Sequence, residues 1–326
     1  MTSTREFPAT RSASGPHRIL PANIDELNEV FSTAFTERYR RDGMVGVRVP
    51  SLNPAIWRYA IEDAVEGGDA MLWRGERDEI VAFNVVHRSG VEGWMGPLAV
   101  RPDWQGGDVG KEVVRAGTRL LGTRGASVIG LETMPRTMDN IGFYSRLGFV
   151  PGRLTITLTV DAREAPRKAR TLGSLSAAAR EDAIGAARSL THAQLAGYDF
   201  TREMRLTQEL GVGDTLLLED GGRIVGFAVF HVAPLVDGRA REELRVLKLV
   251  LDDETRIDTL VEGLADAARR QGTRRVAIRM QGEYLEAYRR LISLGARVRW
   301  TDLRMYVAGH EEVRAPLGIV LSNWEI

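Results

Sequence analysis

The sequence predicts an α/β protein built as two tandem copies of one fold, and three observations lead there. At 326 residues the chain exceeds one typical domain and suits two of about 150 residues each. A hairpin pattern occurs twice, at residues 71–87 and again at 215–231, and the two second strands match position for position down to His87 and His231. An apolar strand at residues 97–100 runs into Pro102, a glycine-rich turn and a helical pattern. That helix puts Val113, Val114, Ala116, Leu120 and Leu121 on one face.

The elements follow in order. Residues 1–17, rich in Ser, Thr, Arg and Pro, read as a disordered leader without the apolar core of a signal peptide. The first unit spans 18–160: amphipathic helices at 25–39 and 56–65, the first hairpin, then the strand, glycine loop and helix. It continues with a β-rich run at 127–132, a short helix around 140–145 and a final β-rich run at 154–160. Residues 161–172, with Pro166 and several basic side chains, read as a linker. A second unit spans 173–308, and residues 309–326 form a tail too apolar to fray, so it is expected to dock.

Composition narrows the function. Lys plus Arg equals Asp plus Glu at 44 each, with no long single-sign run, which disfavours a nucleic-acid partner. The chain has no cysteine, so disulfides, thiolate metal sites and acyl-cysteine chemistry are excluded. Its five histidines are scattered without metal-ligand spacing, so no metal is expected. No apolar run is long enough to span a bilayer, and the chain reads as cytoplasmic, with homodimerisation left open.

The strand, glycine loop and helix start together form a device for holding phosphate. Glycines let backbone N–H groups crowd an anion, and the helix N-terminus adds partial positive charge. A plain surface turn is the alternative reading of the loop alone. Around it, Val100, Pro102, Gln105 and Gly110 match the pattern V-x-P-x-x-Q-x-x-G-x-G/A, and Phe143, Tyr144, Gly148 and Phe149 match F/L-Y-x-x-x-G-F. With these motifs the first half resembles the GNAT superfamily of acyl-CoA-dependent N-acyltransferases. It departs from that pattern at Asp108, which stands where a loop glycine is usual, and at Thr137 and Asn140. An aspartate facing a diphosphate would repel it, so an outward Asp108 is expected, with Gly106 and Gly107 supplying the close approach.

The resemblance implies a mixed, mostly antiparallel sheet flanked by helices and splayed between its fourth and fifth strands. The pantetheine of acetyl-CoA, or of another acyl-CoA, would lie there against Leu98, Ala99 and Val100. The diphosphate would rest on the N–H groups of Gln105, Gly106, Gly107, Asp108, Val109, Gly110 and Lys111, with Asn140 and Tyr144 also near the cofactor. Tyr144 would be the general acid, protonating the departing thiolate. For the base Glu132 is the candidate, with Glu92 beside it; Asp139 reads as a helix cap, and His87 and His231 as structural. The acceptor would be the primary amine of a small molecule, lined by the first two helices through Glu37, Tyr39, Trp57 and Tyr59, which could equally be ordinary helix positions.

The second unit reads as a degenerate copy. Val100 to Gly125 is 25 positions and Leu251 to Gly272 is 21, so four are missing from the glycine loop. The remaining Asp252-Asp253-Glu254-Thr255 would repel a diphosphate, and Leu291 stands where Tyr144 stands in the first half. The leading expectation is an N-acyltransferase. The others are a non-catalytic acyl-CoA sensor or partner-binding module, and an acyl-CoA decarboxylase on the same fold.

Overall fold

The computed structural model describes residues 12–64, 70–166 and 169–324. Its first half runs β1 (Ser14–Arg18), α1 (Ile24–Arg41), α2 (Pro54–Ala64), β2 (Ala70–Arg74), β3 (Ile80–Ser89), β4 (Glu92–Val100), α3 (Val109–Thr123), β5 (Val128–Thr133), α4 (Met138–Ser145) and β6 (Phe149–Asp161). The second runs β7 (Arg170–Thr171), α5 (Ala177–Gln194), α6 (Thr201–Glu209), β8 (Gly213–Asp220), β9 (Arg223–His231), β10 (Glu243–Leu251), α7 (Ile257–Arg270), β11 (Arg275–Gln281), α8 (Leu285–Ser293), β12 (Arg297–Val307) and β13 (Ile319–Ser322). No helix among the described residues is long and apolar enough to cross a membrane.

All of these strands join one mixed sheet, in the order β1-β2-β3-β4-β5-β12-β6-β11-β10-β9-β8-β7, with β13 added on β10. The central positions correct the expected division at residues 161–172. Strand β12, from the second half, pairs antiparallel with β5 of the first, Leu303 opposite Thr133. Strand β6, from the first half, pairs along its length with β11 of the second, Thr155 opposite Gln281 to Asp161 opposite Arg275. Each half therefore holds the other's last long strand. A second correction concerns the leader. Residues 14–17, expected to be disordered, belong to an edge strand on β2, where Gly15 lies flat on the Trp73 indole and has no room for a side chain. Residues 1–11 lie outside the described ones.

Helices cover both faces. The apolar stripe of α3, with Val113, Val114, Ala116 and Leu121, packs with Tyr144 of α4 on the face of Met95, Leu131 and Met305. The opposite face of the first half is closed by α1 and α2, with Leu27, Phe31, Trp57 and Ile61 against Phe83 and Val85. In the second half α7 and α8 pack on one face, and α5 with the chain's own tail on the other. Residues 315–324 cross that face between the halves, where Ala315, Val320 and Trp324 are buried.

The seam beneath the tail is polar. Arg304 of β12 is fully buried; it donates to Tyr306 Oη (2.9 Å), Glu132 Oε1 (3.3 Å), Glu312 Oε1 (3.3 Å) and the Ser322 carbonyl (3.2 Å). Its guanidinium lies 4.2 Å from the Trp94 ring centroid. Lys248, also fully buried, donates to Ser322 Oγ at 2.8 Å and sits 3.2 Å from the Trp324 ring. Such charges are tolerated inside only when paired and hydrogen-bonded.

Glu203 of α6 completes this seam, with Oε1 accepting from Ser89 Oγ and Oε2 buried without a partner. Burial, aided by the negative charge of Asp63, pushes its carboxyl from the ordinary 4.5 up to about 7. The native state thus keeps a proton that the unfolded chain releases above 4.5, so stability falls as pH rises from there to about 7 and levels off above it. Glu203→Gln removes that loss. Relative to wild type, its melting temperature should be higher at pH 8 than at pH 5; an equal difference at both pH values would show that Glu203 is not protonated in the fold.

Candidate active site

The sheet opens where β4 leaves β5. Their parallel pairing covers four positions, Glu92 opposite Val128 to Met95 opposite Leu131, and then stops. The cause lies in β4. A bulge shifts its register against β3 between Met95 and Leu98, Gly96 takes φ of 142°, and Pro97 offers no N–H. Beyond the bulge β4 stays on β3 alone. The Arg101 N–H donates to the Val81 carbonyl at 2.8 Å, so strand alternation turns the N–H groups of Leu98 and Val100 toward the opening and that of Ala99 toward β3. Of the three residues expected to hold an extended ligand, Leu98 and Val100 offer their amides and Ala99 does not.

The glycine loop sits at the outer end of this opening. After the 3-10 turn Pro102–Trp104, anchored by the buried Trp104 ring, Gly106 takes φ of +86°, and neither Gly106 nor Gly107 has any atom within 4 Å of where a side chain would begin. Gln105 does not face the loop's interior: its Nε2 donates to the Val100 carbonyl at 2.8 Å, tying loop to strand. Helix α3 starts at Val109, with Asp108 as its cap residue. The Asp108 side chain is 91% exposed and paired with Lys111 Nζ at 2.8 Å, whose ammonium lowers its pKa. A side chain at Gly110 would make ordinary contact with Phe143 at 3.5 Å and Val100 at 3.8 Å, so packing alone does not demand glycine there.

Tyr144 lies on the same side of the opening, in the cluster that holds Leu98, Val100 and Phe143. Its ring packs edge-on to Phe143 and Phe149, at 5.3 and 6.0 Å. Burial pushes the phenol up to about 12, so it stays protonated at neutral pH. Asn140, one turn earlier, reaches back to Thr133 Oγ1 at 3.5 Å, so its amide is turned to β5.

Glu132 is not placed as a base. Its carboxylate accepts from Thr155 of β6, Arg279 of β11 and Arg304 of β12, and the two guanidinium charges outweigh its burial to hold the carboxyl below the usual range. A carboxylate so engaged is a weak proton acceptor; its work is to join the halves. Glu92 is fully buried and accepts from Ser322 Oγ at 2.5 Å. Trp57 and Tyr59, expected to line an acceptor site, are core residues: Trp57 donates to Asn28 at 2.7 Å, and Tyr59 stands edge-on to His231 at 4.4 Å. Glu37 is bound to Arg40 and Arg41 of its own helix. Tyr39 remains at the rim, where the Arg136 guanidinium lies between its ring and that of Trp300, at 5.6 and 5.3 Å. Asp302 accepts from Trp300 Nε1 (3.1 Å) and pairs with Arg279 (3.2 Å). Sequence reading missed Trp300 and Asp302, which the first half receives only through strand exchange. Among the described residues no group of three or more potential metal ligands gathers.

The second half contains the same opening, closed. Strands β10 and β11 also pair in parallel over four positions, Glu243 opposite Arg275 to Val246 opposite Ile278, and then part. Into that gap runs β13, antiparallel on β10 from Lys248 opposite Ser322 to Leu251 opposite Ile319. The helix start beyond it is shut by its own charges: Asp253 caps Thr255, and Arg256 pairs with Asp252 and Asp220 at 3.0 and 3.1 Å.

Residues 27–149 match the family model described as Acetyltransferase (GNAT) family. Among solved structures, a Pyrococcus horikoshii protein assigned as an acetyltransferase aligns over 98% of this chain and 97% of its own, at 17% identity and TM-score 0.64. A GCN5-related N-acetyltransferase of Sphaerobacter thermophilus aligns over 92% and 96%, at 16% identity and TM-score 0.58. The N-myristoyltransferase of Saccharomyces cerevisiae with bound myristoyl-CoA aligns over 93% and 80%, at 12% identity and TM-score 0.62. At these identities the likeness is one of fold. Comparison with curated protein sequences gives no significant match.

The placement of Glu132 yields a test of its role. Glu132→Ala leaves the buried Arg304 guanidinium and the part-buried one of Arg279 short of a partner and should cost on the order of 3 kcal/mol in chemical denaturation. A loss under about 0.5 kcal/mol, the size of an ordinary surface change, would return Glu132 to the list of candidate bases.

Proposed function

Because residues 27–149 belong to the acetyltransferase (GNAT) family, we propose that this chain transfers an acyl group, acetyl in the first instance, from acyl-CoA to the primary amine of a small molecule. One observation carries the reading. The first half keeps an open slot between β4 and β5 with a glycine loop and helix start at its mouth, whereas the corresponding slot of the second half is filled by β13. The peptide strand on β10 supports an occupant of matching shape for the slot on β4: something extended that bonds to strand amides. Pantetheine is such a group. It lies along Leu98 and Val100, and its diphosphate meets the N–H groups from Gly106 to Lys111, where Lys111 can leave the exposed Asp108 for a phosphate.

The chemistry is a direct displacement. The amine nitrogen attacks the thioester carbonyl carbon, the C–S bond breaks, and the thiolate takes the proton of the Tyr144 hydroxyl. Burial disfavours the thiolate as much as the phenolate, so a phenol raised to about 12 still serves a leaving group in the same apolar setting. The amine's proton leaves to water at the mouth. The acceptor enters beside Tyr39, Arg136, Trp300 and Asp302, a charged and aromatic rim suited to a small polar amine. The second half acts as a degenerate copy that supplies a wall of the site.

The deciding assay is thiol release from acetyl-CoA across a panel of amines; CoA binding with no release for any of them would leave a binding module. Titration calorimetry should give one CoA site per chain, and two equivalent sites would contradict the closed second slot. Tyr144→Phe should lower turnover roughly tenfold to a thousandfold with little change in CoA affinity. An unchanged rate where chemistry is limiting would remove Tyr144 from the mechanism.

A further inference from the structure

His87 is buried at 3% exposure on β3, directly beneath the β4 bulge. Its Nδ1 lies 2.6 Å from Asp63 Oδ2 of α2, and its Nε2 lies 2.9 Å from the carbonyl of Gly96, the residue at which β4 turns out of register. The Gly96 carbonyl can only accept, so Nε2 is the donor in that bond. Its face stacks on Trp324 of the tail, centroids 4.5 Å apart and planes 13° from parallel. Arg202 of α6 holds the other oxygen of Asp63 at 3.0 Å and also donates to the carbonyls of Asp63 and Arg88. Lys248 and Glu203 are the remaining charges that act on Asp63. The counterpart in the second half, His231, instead bonds Thr207 Oγ1 at 3.1 Å. Equal positions in the two halves thus meet different partners.

We propose that His87, oriented by Asp63, is a positioning residue for acyl transfer: by holding the Gly96 carbonyl out of the sheet, it fixes the bulge and with it the Leu98 amide that receives the thioester carbonyl oxygen. This rests on the acyltransferase reading above. The physical need is plain. An oxyanion donor acts only if it is aimed before charge develops, and the segment from Gly96 to Val100 has lost its strand pairing with β5, with the Gln105 side chain tied to its far end at the Val100 carbonyl. The clamp comes from the opposite face, and two of its supports, Arg202 and Trp324, belong to the second half.

Two variants of the full chain separate the bonds. His87→Gln places an amide nitrogen near the Nε2 position and keeps the grip on Gly96; His87→Asn reaches Asp63 but not Gly96. His87→Asn should lower kcat by about tenfold to a hundredfold, the scale of a misaimed donor, with CoA affinity within about threefold of wild type. His87→Gln should recover most of the rate. A histidine that only fills space predicts the two variants to be equal, and equal kcat values would overturn the proposal. Should wild type show no turnover, the acyltransferase reading fails on its own. Hydrogen exchange over residues 95–99 then still decides the clamp: faster in His87→Asn than in His87→Gln supports it, and equal rates overturn it.

Discussion

The fold depends on a guanidinium that cannot leave. Arg304 has no exposure, and its neighbours come from pieces of chain far apart in sequence: Glu132 on β5, Glu312 beyond β12, the Ser322 carbonyl on β13 and the Trp94 ring on β4. Desolvating such a charge costs several kcal/mol, and only a full set of partners offsets it. That condition ties the exchanged strand, the tail and the first half's open edge together. If β12 slipped by one residue, Arg304 would move to the other face, among Met95, Leu131 and Phe149. The ion therefore does for register what shape alone does in an apolar sheet.

The glycine loop and helix start of the first half were legible because they are local: a proline after a strand, two glycines and a helix stripe act within a few residues. The opening beside them was expected only through the family resemblance, and its cause, the bulge at Gly96 and Pro97, went unread. The partners of Glu132 were not legible. Arg279 and Arg304 stand 147 and 172 positions away, and a carboxylate at a strand end reads the same whether it faces substrate or two arginines. Trp57 and Tyr59 were ambiguous for a related reason: an aromatic on an amphipathic helix suits both a pocket and a core, and packing against the Asn28 amide and the His231 ring decides it. Strand exchange was invisible because β6 and β12 have the same hydrophobic pattern whichever neighbour they choose.

The pair of slots sets the two halves apart. Each half makes the same break between a fourth and a fifth strand, so the break belongs to the architecture. What differs is the occupant. In the second half residues 319–322 satisfy the strand edge permanently, and Asp252, Asp253 and Arg256 neutralise one another at the helix start. In the first half the edge is unsatisfied, the loop is bare, and Lys111 is held only by an exposed carboxylate. An edge left open in the interior of a large sheet is costly, and it persists here because Arg304, His87 and the tail brace it from the far face.

The exchanged strand also sets an order of events during synthesis. Residues 27–149 emerge early, yet the neighbour that β5 requires lies at residues 297–307, near the end of the chain. Until that segment leaves the ribosome, β5 presents a bare apolar edge, and β6 has no β11 to lie against. At typical elongation rates of about 5–20 residues per second, some 150 further residues mean roughly eight to thirty seconds of exposure. The half with the open slot is thus translated first and completed last.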